Sequence, residues 1–406
     1  MLNKKISFDK LIFFGAMACV FLAALDFKGR YYYCIFIAFA LFLLFPKQKL
    51  RVNWSSLFLL GLAMAIMICD PNSRERITNL IRPFTFFLTY TMGMSLLKEG
   101  WSLREKEAMV MKVILILAGG ACAHYVLNMV TNLDAQDRNT IDFWTKSVMS
   151  ATRQACLACM MVGVVAATLY SDRKRGWKWL AGAVLLVVIG YNLILAGRTL
   201  LVLMAGVLLL AGLRWGITKK RLTWRHLIPA ALVIAGVVVL YQQDAFGIRT
   251  LVEDSNFYQR FNGKETDWLL NSGRLERKRM YLDYLWDYPM GGSHILDLTG
   301  EYAHDLYLDT YDQAGVFSLI AVAAYICASL CRFFKIMKEP AVSFDLKQLL
   351  LCLYAVINIQ FWLEPILLGV PWLLAAYCMM DGMVAYLLLS ARAERRTVRH
   401  PRRVKL

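Results

Sequence analysis

Apolar stretches about twenty residues long follow one another along nearly the whole chain, separated by short polar gaps. Hydrocarbon offers no partner to an unpaired backbone N–H or C=O, so such stretches cross a membrane as helices. About twelve can be marked by that length, at approximately 10–27, 31–46, 54–69, 77–97, 108–131, 152–170, 177–196, 199–215, 226–243, 311–334, 346–364 and 367–390. Composition points the same way. Of 406 residues 59% are hydrophobic and 18% charged, with a mean hydropathy of +0.49, whereas soluble domains run at roughly 45–50% apolar and about 25% charged. The sequence therefore predicts an all-α integral membrane protein with about 12 transmembrane helices and one large extracytoplasmic loop between helices 9 and 10. The first stretch reads as an anchor rather than a signal peptide, because further spans follow and no small-residue cleavage site does.

An even number of spans puts both termini on one side. With the termini inside, the cytoplasmic segments carry most of the Lys and Arg, including Lys219-Lys220-Arg221 and the basic tail from Arg395 to Arg403. The net charge of +17 is then mostly a topology signal and not a nucleic-acid footprint. The outer segments become 26–31, 70–76, 132–151, the tight turn Gly197-Arg198, the loop 244–310 and the turn around Pro365. Only 244–310 is large enough to build a site. No repeat or low-complexity tract is visible, so residues 1–406 read as a single polytopic domain with 244–310 as its external insertion. All ten cysteines fall in expected spans and read as small packing residues. Cys156 and Cys159 have a redox-like spacing inside a helix, and a disulfide-stapled outer domain is excluded.

Several polar residues stand out against this background. Arg198 sits between two apolar runs on the outer side, where arginine is costly unless something anionic compensates it; the alternative is a snorkelling helix-end residue. Arg82, followed by Pro83, and Arg153 each lie near the outer end of a span, and either pair with an acid such as Asp70 or join an anion site. In the outer loop, Ser272 is placed to cap a helix from Arg274 to Tyr288, stopped by Pro289 and Gly291-Gly292. Met280, Tyr281, Tyr284, Leu285 and Tyr288 give that helix an apolar face, and Arg274 falls at its anion-favouring N-terminus. His304, just before the tenth span, is a proton acceptor near neutral pH. Asp305 beside it, or a carboxylate farther along the chain, would orient its ring. His294 reads as structural. Glu364 is a helix-end charge or an arginine's partner, and Asp381 must be paired or wet. The loop is acidic, but no D-x-D pair supports a metal site. There is no P-loop, dinucleotide turn or nucleophile elbow.

Taken in order, the run Leu195-Ala196-Gly197-Arg198-Thr199-Leu200-Leu201, then Ser272-Gly273-Arg274, Pro289 with Gly291-Gly292, His304-Asp305-x-Tyr307-Leu308, and Gly315 opening a span resembles the O-antigen ligase and polymerase superfamily. The similarity covers roughly residues 180–370. It implies an inverting glycosyltransferase of the bacterial cytoplasmic membrane, with no cofactor and no metal ion. The donor would be an undecaprenyl-diphosphate-linked glycan, the acceptor a glycan or glycolipid such as lipopolysaccharide, and the active site would be extracytoplasmic. Arg198 matches the family's turn arginine, Arg274 its loop arginine and His304 its histidine. Arg82, Arg153, Asp305 and Glu364 are further substrate-binding candidates. Family members often carry His-Asn where this chain has His304-Asp305, which puts an amide contact to sugar in doubt.

On that reading His304 is the general base for the acceptor hydroxyl, and the arginines stabilise charge developing on the departing diphosphate. A ligase, moving a finished glycan, is expected ahead of a repeat-unit polymerase. Transport of a lipid-linked oligosaccharide is the rival from another class; transporters concentrate charge near the bilayer midplane and use repeats, whereas these charges gather at outer ends.

Overall fold

A computed structural model describes residues 8–45, 49–70, 77–133, 139–195, 197–219 and 274–399, with position 242 standing alone. Ser272, Gly273, the rest of 244–271 and nearly all of the expected ninth span lie outside the described residues. The described chain is almost entirely helical. In order come α1 (Phe8–Ala24), α2 (Tyr31–Leu43), α3 (Trp54–Cys69), α4 (Ile77–Ile81), α5 (Phe84–Leu96) and α6 (Leu103–Thr131). A two-stranded antiparallel hairpin follows, β1 (Asn139–Ile141) and β2 (Val148–Ser150). Then come α7 (Ala151–Leu169), α8 (Arg175–Ile194), α9 (Arg198–Thr218), α10 (Arg274–Asp283), α11 (His294–Thr299), α12 (Leu306–Lys338), α13 (Phe344–Leu363), α14 (Ile366–Gly369) and α15 (Pro371–Arg399).

Among the described residues, seven helices are long and apolar enough to cross a membrane: α6, α7, α8, α9, α12, α13 and α15. The chain is thus a helical, membrane-embedded protein. α2 and α3 are apolar but shorter. The expected span 77–97 is divided: α4 ends at Ile81 and α5 begins at Phe84. Pro83 between them has no N–H to donate to the preceding turn, and its ring crowds that turn's carbonyl. The last expected span is divided as well, at Val370, which leaves helical geometry just before Pro371. The expected helix from Arg274 to Tyr288 stops at Asp283 and continues as turns.

Contacts divide the chain into two compact units, Met1–His124 with Arg274–Lys347 and Ile357–Leu406, and Tyr125–Gly273 with Gln348–Val356. In the first, α5 lies directly on α15. A Cβ at Gly93 would fall 2.1 Å from the Met379 carbonyl oxygen, and one at Gly382 would fall 2.2 Å from that of Tyr90. Lipid tails are as apolar as leucine, so helix association in a membrane relies on such close approach rather than on hydrophobic burial. An internal ion pair fixes the register of this layer. The Arg332 guanidinium grips Asp381 through Nε (3.1 Å) and Nη2 (2.5 Å), donates to the Ser55 hydroxyl at 2.7 Å, and stands over the Tyr90 ring. Asp381 is fully buried; the sequence required it to be paired or wet, and it is paired.

In the second unit the turn between α8 and α9 is built on Asn192. Its amide donates to the Tyr125 hydroxyl and the Val188 carbonyl, each at 2.9 Å, and its own carbonyl accepts from Gly197 N–H at 2.9 Å. A side chain at 197 would meet the Asn192 amide oxygen at 2.7 Å, which explains the glycine before Arg198.

Replacing Gly93 by alanine drives a methyl into the Met379 backbone. The variant should lose at least about 3 kcal/mol or fail to fold. Gly182→Ala, where a Cβ meets nothing within 4 Å, should be neutral or better. Thermal midpoints in detergent would decide; equal midpoints would refute the close α5–α15 contact.

Candidate functional site

The residues that build a site in the first unit lie on the short amphipathic helix α10 and the segments around it. α10 begins at Arg274 and carries Arg277 and Lys278 one turn on, where spacings of three and four share a face. Each cation meets an acid from a different segment. Arg274 Nη2 donates to Glu364 Oε1 at 2.8 Å, just past the end of α13. Lys278 Nζ donates to Asp305 Oδ2 at 2.7 Å and to the Trp362 carbonyl at 2.6 Å. Arg277 pairs with Glu301. Glu364 and Asp305 each have only 3% of their side chains exposed. Tyr281 fastens α10 underneath: it is buried with Ile295, Ala303 and Tyr311, beside Leu285 and Tyr288, and donates to the Glu301 carbonyl at 2.9 Å. Of the apolar face read from the sequence, Tyr281, Leu285 and Tyr288 are in this cluster, whereas Tyr284 is 39% exposed.

His304 sits at the centre of this arrangement, in a left-handed backbone conformation (φ +54°) that histidine adopts more readily than most residues but rarely. Its neighbours hold it there. The Ala303 N–H donates to Asp309 Oδ1 at 3.1 Å, while Asp305 caps α12, accepting from Tyr307 N–H at 2.9 Å and Leu308 N–H at 3.3 Å. With one carboxylate fixing each flank, the strained residue is over-determined, as is common at functional sites. Among the described residues, His304 Nδ1 is buried without a hydrogen-bond partner; the carboxylate oxygen closest to it is Glu364 Oε2, at 4.0 Å. Burial, reinforced by the charges of Arg274 and Arg277, lowers the ring to about 4. It is therefore neutral at pH 7, and the approach to Glu364 is not an ion pair.

Of the two partners the sequence left open for this histidine, the distant carboxylate is the one in range. Asp305 is occupied by Lys278 and by the helix cap. Pro289, Gly291, Gly292 and Gly315, separate in sequence, form one contact. Val316 N–H donates to the Pro289 carbonyl at 2.9 Å, Gly292 N–H to that of Gln313 at 3.2 Å and Ser293 N–H to that of Asp312 at 2.7 Å. Gly291 and Gly315 both have positive φ, and a Cβ on Gly291 would fall 2.4 Å from the Gly315 nitrogen. This contact bends α12 at Ala314-Gly315. His294 packs its ring against Tyr288, a structural role.

Arg82 is elsewhere in the same unit, its guanidinium 5.3 Å over the Tyr32 ring, with a buried Nε that has no hydrogen-bond partner among the described residues. Arg153 and Arg198 belong to the second unit. Arg153 is in the first turn of α7, its N–H on the Ser150 cap; Arg198 is the first residue of α9. α9 packs on α7, and α8 runs back from the end of α7 to the start of α9, so both residues lie at the same end of that unit.

Sequence reasoning missed Arg277, Lys278, Glu301 and Asp309. The signal was present: four cations crowd Arg274–Arg279 in a segment assigned to the outer side, against the basic-inside bias.

Lys278→Met leaves Asp305 buried beside a hydrophobic stem. It should cost about 3 kcal/mol in a denaturation midpoint, the scale for stripping one partner from a buried pair; an unchanged midpoint would mean that Lys278 does not anchor α10. No protein-family model matches the chain, and no curated protein matches it.

Proposed function

We propose that this chain is a membrane glycosyltransferase that moves a glycan from undecaprenyl diphosphate to an acceptor hydroxyl outside the bacterial cytoplasmic membrane. About twelve spans, cytoplasmic termini and an outer loop carrying α10 and His304 complete the proposal. The observation that carries it is a neutral, half-buried histidine held in a strained conformation beside an arginine whose charge is met by a carboxylate. A base and an anion-binding cation in one place are what acyl-free group transfer from a diphosphate needs. Arg198 enters as a further diphosphate ligand on the resemblance alone.

In the proposed reaction the acceptor oxygen attacks the anomeric carbon as its proton passes to His304 Nε2. The bond from that carbon to the diphosphate oxygen breaks, the electron pair leaves with undecaprenyl diphosphate, and the anomeric configuration inverts. The diphosphate competes with Glu364 for the charge of Arg274. When the diphosphate takes the guanidinium, Glu364 is released to accept the His304 Nδ1 proton, which orients the ring and makes it more basic. A ring near 4 is a weak base at neutral pH, and a base works best near the operating pH.

Two measurements test this. Deleting the gene and resolving surface and lipid-linked glycans on a gel, His304→Ala should fail to restore product, with a loss on the order of 10²–10⁴ in rate. Glycan stranded on the carrier marks a ligase, single repeats on the acceptor a polymerase; full rescue by His304→Ala removes the mechanism. The pH profile separates free from substrate-bound enzyme. His304 must be deprotonated to act, so kcat/KM should hold as pH falls from 7 and drop only near about 4. The acid limb of kcat should lie higher, and Glu364→Gln should bring it down toward that of kcat/KM. Coincident limbs in the wild type would rule out release of Glu364.

A further inference from the structure

Within the first unit, at the end of the helices where α1 starts, is a crevice of about 620 Å³. That is the size of a site for a small ligand. Its walls are apolar: Phe13 and Met17 of α1, Phe42 and Phe45 at the end of α2, and Leu96 of α5. Its charged residues are all at one end. Lys10 and Asp9 lie in the first turn of α1, and Lys98 follows α5. The Lys98 ammonium stands over the rings of Phe45 (4.9 Å) and Trp101 (5.8 Å), an aromatic seat, and it forms no ion pair with an acid among the described residues. The depth is greasy, the rim is cationic, and Phe14 and Leu44 alongside are exposed, as residues facing hydrocarbon are.

We infer that this crevice holds one acyl chain of an anionic phospholipid, with the lipid phosphate at the rim between Lys10 and Lys98. The polarity gradient matches a lipid's own: chain inward, phosphate outward. Charge selects the anionic class. Two lysines face the single acid Asp9, and Lys4, Lys5, Lys47 and Lys49 flank the rim segments in sequence. Lysines beside an anionic membrane surface favour binding by about fivefold each. The interior is too apolar for a sugar or nucleotide, which would leave hydroxyls and amides unpaired there. This inference is independent of the glycosyltransferase proposal, since none of its residues belongs to the His304 site.

Trp101 lines the crevice and reports on it. The full chain is placed in phosphatidylcholine nanodiscs containing a low fraction of either brominated phosphatidylglycerol or brominated phosphatidylcholine. The Trp101 contribution is the fluorescence difference between the wild type and Trp101→Phe. Brominated phosphatidylglycerol should quench that contribution at least twofold more than brominated phosphatidylcholine. The preference should vanish in Lys10→Gln/Lys98→Gln, and high salt should weaken it in the unaltered protein, so the result does not depend on the variant folding. Equal quenching by both lipids means ordinary bulk lipid and overturns the inference. No quenching by either means that protein closes the crevice, and overturns it equally.

Discussion

The Glu364 carboxylate is taken almost completely out of water, and the local arrangement follows from neutralising it. An unpaired buried charge costs several kcal/mol, so the start of α10 has to lie where Arg274 reaches it at 2.8 Å. One turn later Lys278 repeats the demand at Asp305, the residue that caps α12. These two contacts leave α10 little freedom to shift or rotate. Asp305 and Asp309 then fix the backbone on either side of His304. The histidine's place is thus set by pairs in which it takes no part, which leaves its Nδ1 without a partner among the described residues.

The apolar helices of the first unit obey a related rule. Where solvent does not drive association, contact has to come from shape and from polar groups satisfied inside. Gly93 and Gly382 supply the shape between α5 and α15. Gly120 does the same for α6 against α1, where a Cβ would meet the Phe21 carbonyl oxygen at 2.4 Å. Arg332 with Asp381, Ser55 and Tyr90 supplies the polar lock across α3, α5, α12 and α15. The charge of Arg332 and Asp381 is therefore accounted for structurally, and a transport reading gains nothing from that pair.

Much of this was legible in the residues. Hydropathy located the long helices, since a run of apolar residues has few alternatives in a membrane. The association of Arg274, His304 and Glu364 was readable only in part: the first two belong to one ordered motif set, whereas Glu364 read as a helix-end charge with an arginine partner left unnamed. No local pattern tells which of several cations a distant carboxylate will meet, because that depends on how α10, α12 and α13 converge. The break at Pro83 was available from proline chemistry but was masked by the apolar residues on both sides. The shortening of α10 at Asp283 is a tertiary effect, with Leu285 and Tyr288 drawn into the Tyr281 cluster as turns rather than as helix. Gly291 read as part of a helix stop and Gly315 as the opening of a span; their mutual contact is a fact of packing.

The balance of charge around His304 carries a last consequence. Arg274, Arg277 and Lys278 face Glu364, Glu301 and Asp305, three cations for three acids. These three pairs are matched as they stand. A diphosphate added to them raises the negative charge and competes with the acids for their cations. Asp305 is also tied to two backbone N–H groups and would strand a helix end if it moved. Glu364 has an alternative close by, His304 Nδ1 at 4.0 Å. On the proposed mechanism it is the acid that moves, because a hydrogen bond to His304 Nδ1, unmade among the described residues, lies close to its second oxygen. Anion binding at Arg274 and activation of the histidine would then be one event, seen from the two oxygens of a single carboxylate.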